Sequence, residues 1–200
     1  MELGIKGRTA LVMAASRGFG TAVALRLAAE GVKVAMCARG AEDLAEAAED
    51  VRTVGHELLG GSAGRVLARP VDATDEASVK RFVTKTEKEL GPIDMLLVNA
   101  GGPPAGNFSE LDTGQWEQAY RLILESAVRL CGLVMPGMME RGWGRIVQIT
   151  SVSVVQPVEN LLLSSVLRPA AHALVRNLAV EGAPHGVTVN SVAPGYHTTS

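Results

Sequence analysis

Apolar residues fall in two alternating kinds of run along this chain. Short, β-branched runs bounded by glycine or polar residues predict strands at Thr9 to Ala14, Lys33 to Ala38, Arg65 to Pro70, Ile93 to Asn99, Arg145 to Thr150 and Val187 to Val192. Between them, longer runs with helical spacing predict helices at Gly18 to Glu30, Ala41 to Val54, Asp75 to Leu90, Gly114 to Glu140 and Pro169 to Glu181. Nearly continuous apolar strands separated by helices predict a parallel sheet covered on both faces.

The third helix shows its period plainly: Val79, Phe82, Val83, Thr86 and Leu90 form one stripe, while Lys80, Lys85, Glu87 and Lys88 lie outside it as a solvated face. The fourth is expected to begin at Asp112, with Gln115 three residues on in a capping-box pattern. It is apolar on more than one side, through Tyr120, Leu122, Ile123, Leu124, Leu130, Leu133 and Val134, and so needs a partner beyond its own sheet. Pro169 reads as the start of the last helix, because proline is welcome at the first helical position and costs ~3 kcal/mol inside one. Gly60-Gly61-Ser62-Ala63-Gly64 reads as a flexible connection into the third strand.

With 200 residues, 47% hydrophobic and 20% charged, the chain excludes a disordered class and suits one domain over 1–200. A net charge of −2 and only 4% aromatic residues provide neither a basic field nor stacking platforms, so no nucleic-acid partner is expected. Cys37 and Cys131 sit in apolar runs, which predicts buried, reduced thiols and a cytoplasmic location. The N-terminal stretch is charged and no uninterrupted apolar run approaches the ~20 residues of a membrane span, so no targeting segment and no membrane partner are expected. Nor is a metal site.

Candidate chemistry begins where the first strand meets the first helix. Ala14-Ala15-Ser16-Arg17-Gly18-Phe19-Gly20 is a strand-turn-helix junction in which backbone N–H groups can meet a pyrophosphate and the glycines allow close approach. An NAD-binding domain of this layout carries an acid about twenty residues further on, at the end of the second strand, for the ribose 2′-hydroxyl. Ala38 stands there instead, followed by Arg39, and Arg17 lies within the loop. Two guanidinium groups without that carboxylate favour a 2′-phosphate, hence NADP(H) over NAD(H).

Met13-Ala14-Ala15-Ser16-Arg17-Gly18-Phe19-Gly20 resembles the Thr-Gly-x-x-x-Gly-x-Gly loop of the short-chain dehydrogenase/reductase family. The last two glycines are kept and the first Thr-Gly is replaced by Met-Ala, so Ala14 costs on the order of 1 kcal/mol if that position needs an unusual backbone angle. Asp72 resembles the family's adenine-contacting Asp, with a turn or helix-capping acid as the alternative. Val98-Asn99-Ala100-Gly101 resembles the Asn-Asn-Ala-Gly signature that closes the fourth strand, and Pro194-Gly195 followed by Thr199 resembles the Pro-Gly loop that lies against the nicotinamide. The resemblance covers essentially the whole chain and is strongest toward the 3-oxoacyl-acyl-carrier-protein reductase branch. It implies a Rossmann fold, a doubly wound parallel sheet in three α/β/α layers, with the family's C-terminal elements missing beyond Ser200. It implies an NADP(H) site formed by Ser16, Arg17, Gly18, Phe19, Gly20, Arg39, Asp72, Asn99, Gly101, Arg168, Pro194 and Gly195. It also implies a homo-dimer or homo-tetramer formed through the fourth helix and its neighbour.

The family's catalytic residues are a Ser, a Tyr and a Lys, the Lys four residues after the Tyr, assisted by an Asn in the fourth helix. Ser151, after the fifth strand, matches the Ser. The Tyr position then falls on Ser164, the Lys position on Arg168 and the Asn position on Ile123. An aliphatic hydroxyl is a far weaker acid than a phenol of pKa ~10, and an arginine stays protonated, so Ser164 is a poor proton donor and Arg168 a fixed charge. With Pro169 as a helix start, Ser164 and Arg168 need not share a face. Tyr196 and His197 in the Pro-Gly loop are the remaining candidate acids. The resemblance implies an NADP(H)-dependent oxidoreductase acting on a small-molecule carbonyl or secondary alcohol, weak or atypical in activity. The alternatives are a non-catalytic NADP(H)-binding sensor or interaction protein, and an inactive piece of a longer reductase.

Overall fold

The computed structural model describes residues 3–59 and 65–195. Strands and helices alternate as the hydrophobic pattern predicts: β1 (Thr9–Met13), α1 (Gly18–Ala29), β2 (Lys33–Ala38), α2 (Ala41–Leu59), β3 (Val66–Pro70), α3 (Glu76–Leu90), β4 (Met95–Val98), α4 (Thr113–Tyr120), a π-helical turn (Arg121–Glu125), α5 (Ser126–Glu140), β5 (Gly144–Ile149), α6 (Leu162–Gly182) and β6 (Val187–Val192). The connection Gly60 to Gly64 and the residues Tyr196, His197 and Thr199 lie outside the described residues. The chain divides into two compact units, one reaching to Leu97 and the other beginning at Val98.

In the first unit the strands run parallel in the order β3-β2-β1-β4. Met13 pairs with Cys37 and Ala38 with Pro70, so β1, β2 and β3 finish nearly level. Every residue of β1 is buried, and all of β2 after Lys33, which is why these runs are apolar without alternation. From β1 the chain winds outward to β2 and β3, whereas β4 lies on the opposite side of β1. That reversal is the switch point of a doubly wound sheet, where a crevice opens beyond the C-terminal strand ends. α3 buries Val79, Phe82, Val83, Thr86 and Leu90, the expected stripe, and Asp75 caps it by accepting from the amides of Ala77 and Ser78. α2 continues past the expected end at Val54 to Leu59. Gly55 does not break it, since a glycine inside a helix costs only about 1 kcal/mol.

In the second unit β5 and β6 pair in parallel, with Ile149 opposite Val192. Asp112 caps α4 as expected: the Gln115 amide donates to Asp112 Oδ1 at 2.8 Å and the Asp112 amide to Gln115 Oε1 at 2.9 Å. The helical run is not uniform, because the π-helical turn separates α4 from α5. Thr113–Glu140 is long and apolar enough to cross a membrane by length and composition, and 44% of its most apolar window is buried inside the protein. Ala119 and Ile123 from this run pack on Leu163, Leu167 and Ala171 of α6.

The last helix departs from expectation. α6 begins at Leu162 and Pro169 lies inside it. Leu163, Leu167 and Ala171 recur at helical spacing and are buried. Burying large aliphatic side chains is worth about 1.5–3 kcal/mol each, which offsets the ~3 kcal/mol proline penalty. Pro169 has no N–H to give to the Ser165 carbonyl four residues earlier.

Candidate functional site

At the β1–α1 junction, Ala14 takes the left-handed conformation, with φ of +48°, at the position where the family pattern has its first glycine. A non-glycine residue there costs about 1–2 kcal/mol. Gly20 admits no side chain, since a Cβ built on it would stand 2.2 Å from the Ala14 carbonyl oxygen. Thr21 Oγ1 donates to the Ala15 carbonyl at 3.0 Å and closes the loop. The Ala15 amide donates to the Cys37 carbonyl at 2.9 Å and fastens it to the end of β2. Ser16 and Gly18 are half-buried and Phe19 exposed. Arg17 occupies the N-cap of α1 with extended backbone and no side-chain cap. Helix N–H groups left in this way suit an anion.

Arg17, Arg39 and Asp72 follow the C-terminal ends of β1, β2 and β3 in turn. Both arginines are exposed. Arg17 Nη2 pairs with Asp43 Oδ2 in the first turn of α2. Asp72 shapes the turn after β3, where its Oδ1 accepts from the Thr74 amide and the Thr74 hydroxyl, both at 2.8 Å. The amide bond first, then the hydroxyl bond, hold its carboxyl below the usual carboxylate range, and Arg39 adds a smaller attraction. The Cys37 thiol beneath this loop is buried and raised by desolvation, and burial pushes Cys131 up to about 12. Both are free thiols of inert character.

In the second unit, Asn99 is half-buried and Gly101 exposed just after β4. Ser151 follows β5 and caps a short 3-10 turn over Val152–Val154, its Oγ accepting from the Ser153 amide at 3.2 Å. The Pro194-Gly195 segment is joined to the same turn, because the Val152 amide donates to the Pro194 carbonyl at 2.9 Å.

Ser164 and Arg168 lie one turn apart on α6 and do share a face, contrary to the expectation drawn from Pro169. Arg168 Nε–H donates to Ser164 Oγ at 3.2 Å. Its Nη1 donates to the carbonyls of Ile149 at 3.2 Å and Thr150 at 3.0 Å. These partners include no carboxylate, and burial lowers the guanidinium's pKa. Ser164 Oγ also lies 3.1 Å from Ser153 Oγ, with both side chains buried. A guanidinium only donates, so Ser164 accepts from Arg168 and keeps its own hydrogen available for Ser153. Ser153, two residues after Ser151, carries no sign in the sequence that it meets Ser164. Ile123 is buried in the apolar cluster on α6. Among the described residues no group of three or more His, Cys, Asp or Glu could hold a metal ion.

The family model for short chain dehydrogenases matches residues 8–200. Nodulation protein G of Azospirillum brasilense is 35% identical over 190 residues, covering 94% of this chain and 74% of that protein. Among solved structures, L-sorbose reductase from Gluconobacter frateurii, complexed with NADPH and L-sorbose, is similar with a TM-score of 0.91 and 30% identity, covering 100% of this chain and 73% of that one. An NADPH-bound short chain oxidoreductase from Pseudomonas aeruginosa PAO1 containing an atypical catalytic center is similar with a TM-score of 0.84 and 30% identity, covering 93% of this chain and 70% of that one. A matching family model over nearly the whole chain and the same doubly wound Rossmann fold make this protein a member of the short-chain dehydrogenase/reductase family, oxidoreductases of carbonyl and alcohol groups.

Proposed function

We propose that this protein is an NADP(H)-dependent oxidoreductase of a small-molecule carbonyl or secondary alcohol whose proton-transfer step is weak. The observation that carries the reading is the contact between Ser164 and Arg168 at 3.2 Å on α6. By resemblance these residues stand for the family's Tyr and Lys, which would leave a hydroxyl that is a far weaker general acid than a phenol beside a cation that stays protonated.

The residues present fit a dinucleotide. The close approach of Gly20 to the Ala14 carbonyl and the uncapped start of α1 suit Ser16, Gly18, Phe19 and Gly20 to a pyrophosphate. Arg17 and Arg39 suit a 2′-phosphate, and Asp72 the adenosine. By resemblance, Asn99, Gly101, Arg168, Pro194 and Gly195 hold the nicotinamide half. When bound, that ring supplies or accepts the hydride. Ser151 keeps its hydroxyl hydrogen for a substrate carbonyl, because its oxygen accepts from the Ser153 amide. Arg168 favours negative charge on that oxygen without passing a proton. The NADPH-bound state of two structural relatives supports the cofactor, and the atypical center of one supports a departure from the usual acid.

Tyr120 and Val128 on the α4–α5 run and Val166 and Val180 on α6 are exposed, which supports a homo-dimer or homo-tetramer through these helices. Buried free thiols support a cytoplasmic setting. A fluorescence titration tests the cofactor assignment: NADPH is expected to bind at least tenfold tighter than NADH, and equal affinities remove it. Ile123 in the apolar cluster favours a second reading, a non-catalytic NADP(H)-binding protein, which binding without any hydride transfer would select.

A further inference from the structure

We infer that Asp43 is a specificity-determining residue of the 2′-phosphate site, competing with that phosphate for Arg17. The inference rests on the NADP(H) reading above. Arg17 Nη2 is paired with Asp43 Oδ2. Asp43 lies in the first turn of α2, just after Arg39 and Gly40, and a Cβ built on Gly40 would stand 3.7 Å from its Oδ2. The amide of Ala15 bonds the carbonyl of Cys37 at 2.9 Å, which fastens the loop bearing Arg17 to the strand that leads into Arg39. One carboxylate therefore touches the first arginine and borders the turn that carries the second.

The two acids near these arginines differ in how they are held. Asp72 is engaged by the Thr74 amide and hydroxyl and feels Arg39 only as a smaller attraction. Asp43 has Arg17 itself as its ion-pair partner. A 2′-phosphate bound by Arg17 must share with Asp43, or take from it, the guanidinium that Asp43 engages, and then stands near its negative charge. A 2′-hydroxyl carries no charge and meets neither cost. Asp43 thus narrows the preference for NADPH without reversing it. The side chains of Arg17 and Asp43 are 74% and 47% exposed, so the competition is modest and weakens as salt rises.

Calorimetric titration of the full chain with adenosine 2′,5′-bisphosphate and adenosine 5′-monophosphate isolates the phosphate. Asp43→Asn should tighten the bisphosphate roughly threefold to tenfold, within the range of exposed ion pairs and charge repulsion, and change the monophosphate less than twofold. Arg17→Gln should weaken the bisphosphate, and adding Asp43→Asn to it should then have no effect. If Asp43→Asn leaves the bisphosphate unchanged, weakens it, or shifts both nucleotides alike, Asp43 does not compete and the inference fails while the NADP(H) reading stands. If the unaltered protein binds both nucleotides equally, the NADP(H) reading fails and the inference with it. The substituted side chain is partly exposed and keeps its size, and a thermal melt of each variant verifies the fold.

Discussion

Arg168 donates through Nε to the Ser164 hydroxyl at 3.2 Å while its Nη1 reaches the carbonyls of Ile149 and Thr150, so one side chain joins α6 to the end of β5. Arg168→Met should therefore leave two carbonyls and a buried hydroxyl without this donor. The expected loss is about 2–4 kcal/mol, less than three charge-assisted bonds added together because a desolvated cation is removed as well. At about 2–4 °C per kcal/mol in a chain of this size, thermal melts should show a drop of several degrees. An unchanged midpoint would mean that water replaces the guanidinium at no cost.

Pro169 lies seven residues inside α6, which starts at Leu162, so replacing it restores a donor for the Ser165 carbonyl. Pro169→Ala is expected to stabilise the protein by about 1–3 kcal/mol, up to the full proline penalty. Were Pro169 the first residue of a helix, the same change would give no gain. Thermal melts separate the two, and NADPH affinity should not move.

Much of the fold was legible because its causes are local or periodic. β6 runs from Val187 to Val192 as read, and α3 buries the five residues picked out by spacing. The Asp112 and Gln115 cap is a signal contained within four residues. The start of α6 departs from the sequence expectation because the proline rule is local, whereas Leu163 and Leu167 gain from packing against Ile123, which is about forty residues away in sequence. The loop glycines could be read from their order, since Gly20 has to clear a carbonyl only six residues earlier. The pairs Arg17 with Asp43 and Ser153 with Ser164 join residues from different elements, and no spacing rule announces them.

Ile123 illustrates the same limit from the side of chemistry. The resemblance implies that it stands where the family has a polar Asn, but its surroundings are Ala119, Leu163, Leu167 and Ala171. Ile123→Asn should bury an amide among aliphatic side chains and destabilise by about 2–4 kcal/mol, from lost apolar burial and an unsatisfied polar group. Urea unfolding measures it. A change below about 0.5 kcal/mol, the size of an ordinary surface effect, would mean that the amide finds polar partners there.

Ala14 and Gly20 should respond in opposite directions to opposite changes. Ala14→Gly relieves a side chain held at φ of +48° and is expected to stabilise by about 1 kcal/mol. Gly20→Ala drives a Cβ to 2.2 Å from the Ala14 carbonyl, so the loop must move and nucleotide affinity should fall at least about a hundredfold, as for loss of a preorganised site. Melts and NADPH titrations of both variants provide the check. Gly20→Ala binding as tightly as the unaltered protein would contradict this role for the loop.

Stopped-flow measurement of NADPH oxidation, with a β-ketoacyl or small ketone substrate at saturating NADPH, bears on the weak proton-transfer step itself. Ser164 cannot do the work of a positioned phenol, so reduction should run at least ~10² slower than in a relative that has the Tyr and Lys, as expected when a general acid is lost. Ser151 and the placement of the reactants should leave a residual rate. Turnover at ordinary enzyme rates, roughly 1 to 10³ per second, would contradict the account and require a proton donor other than Ser164.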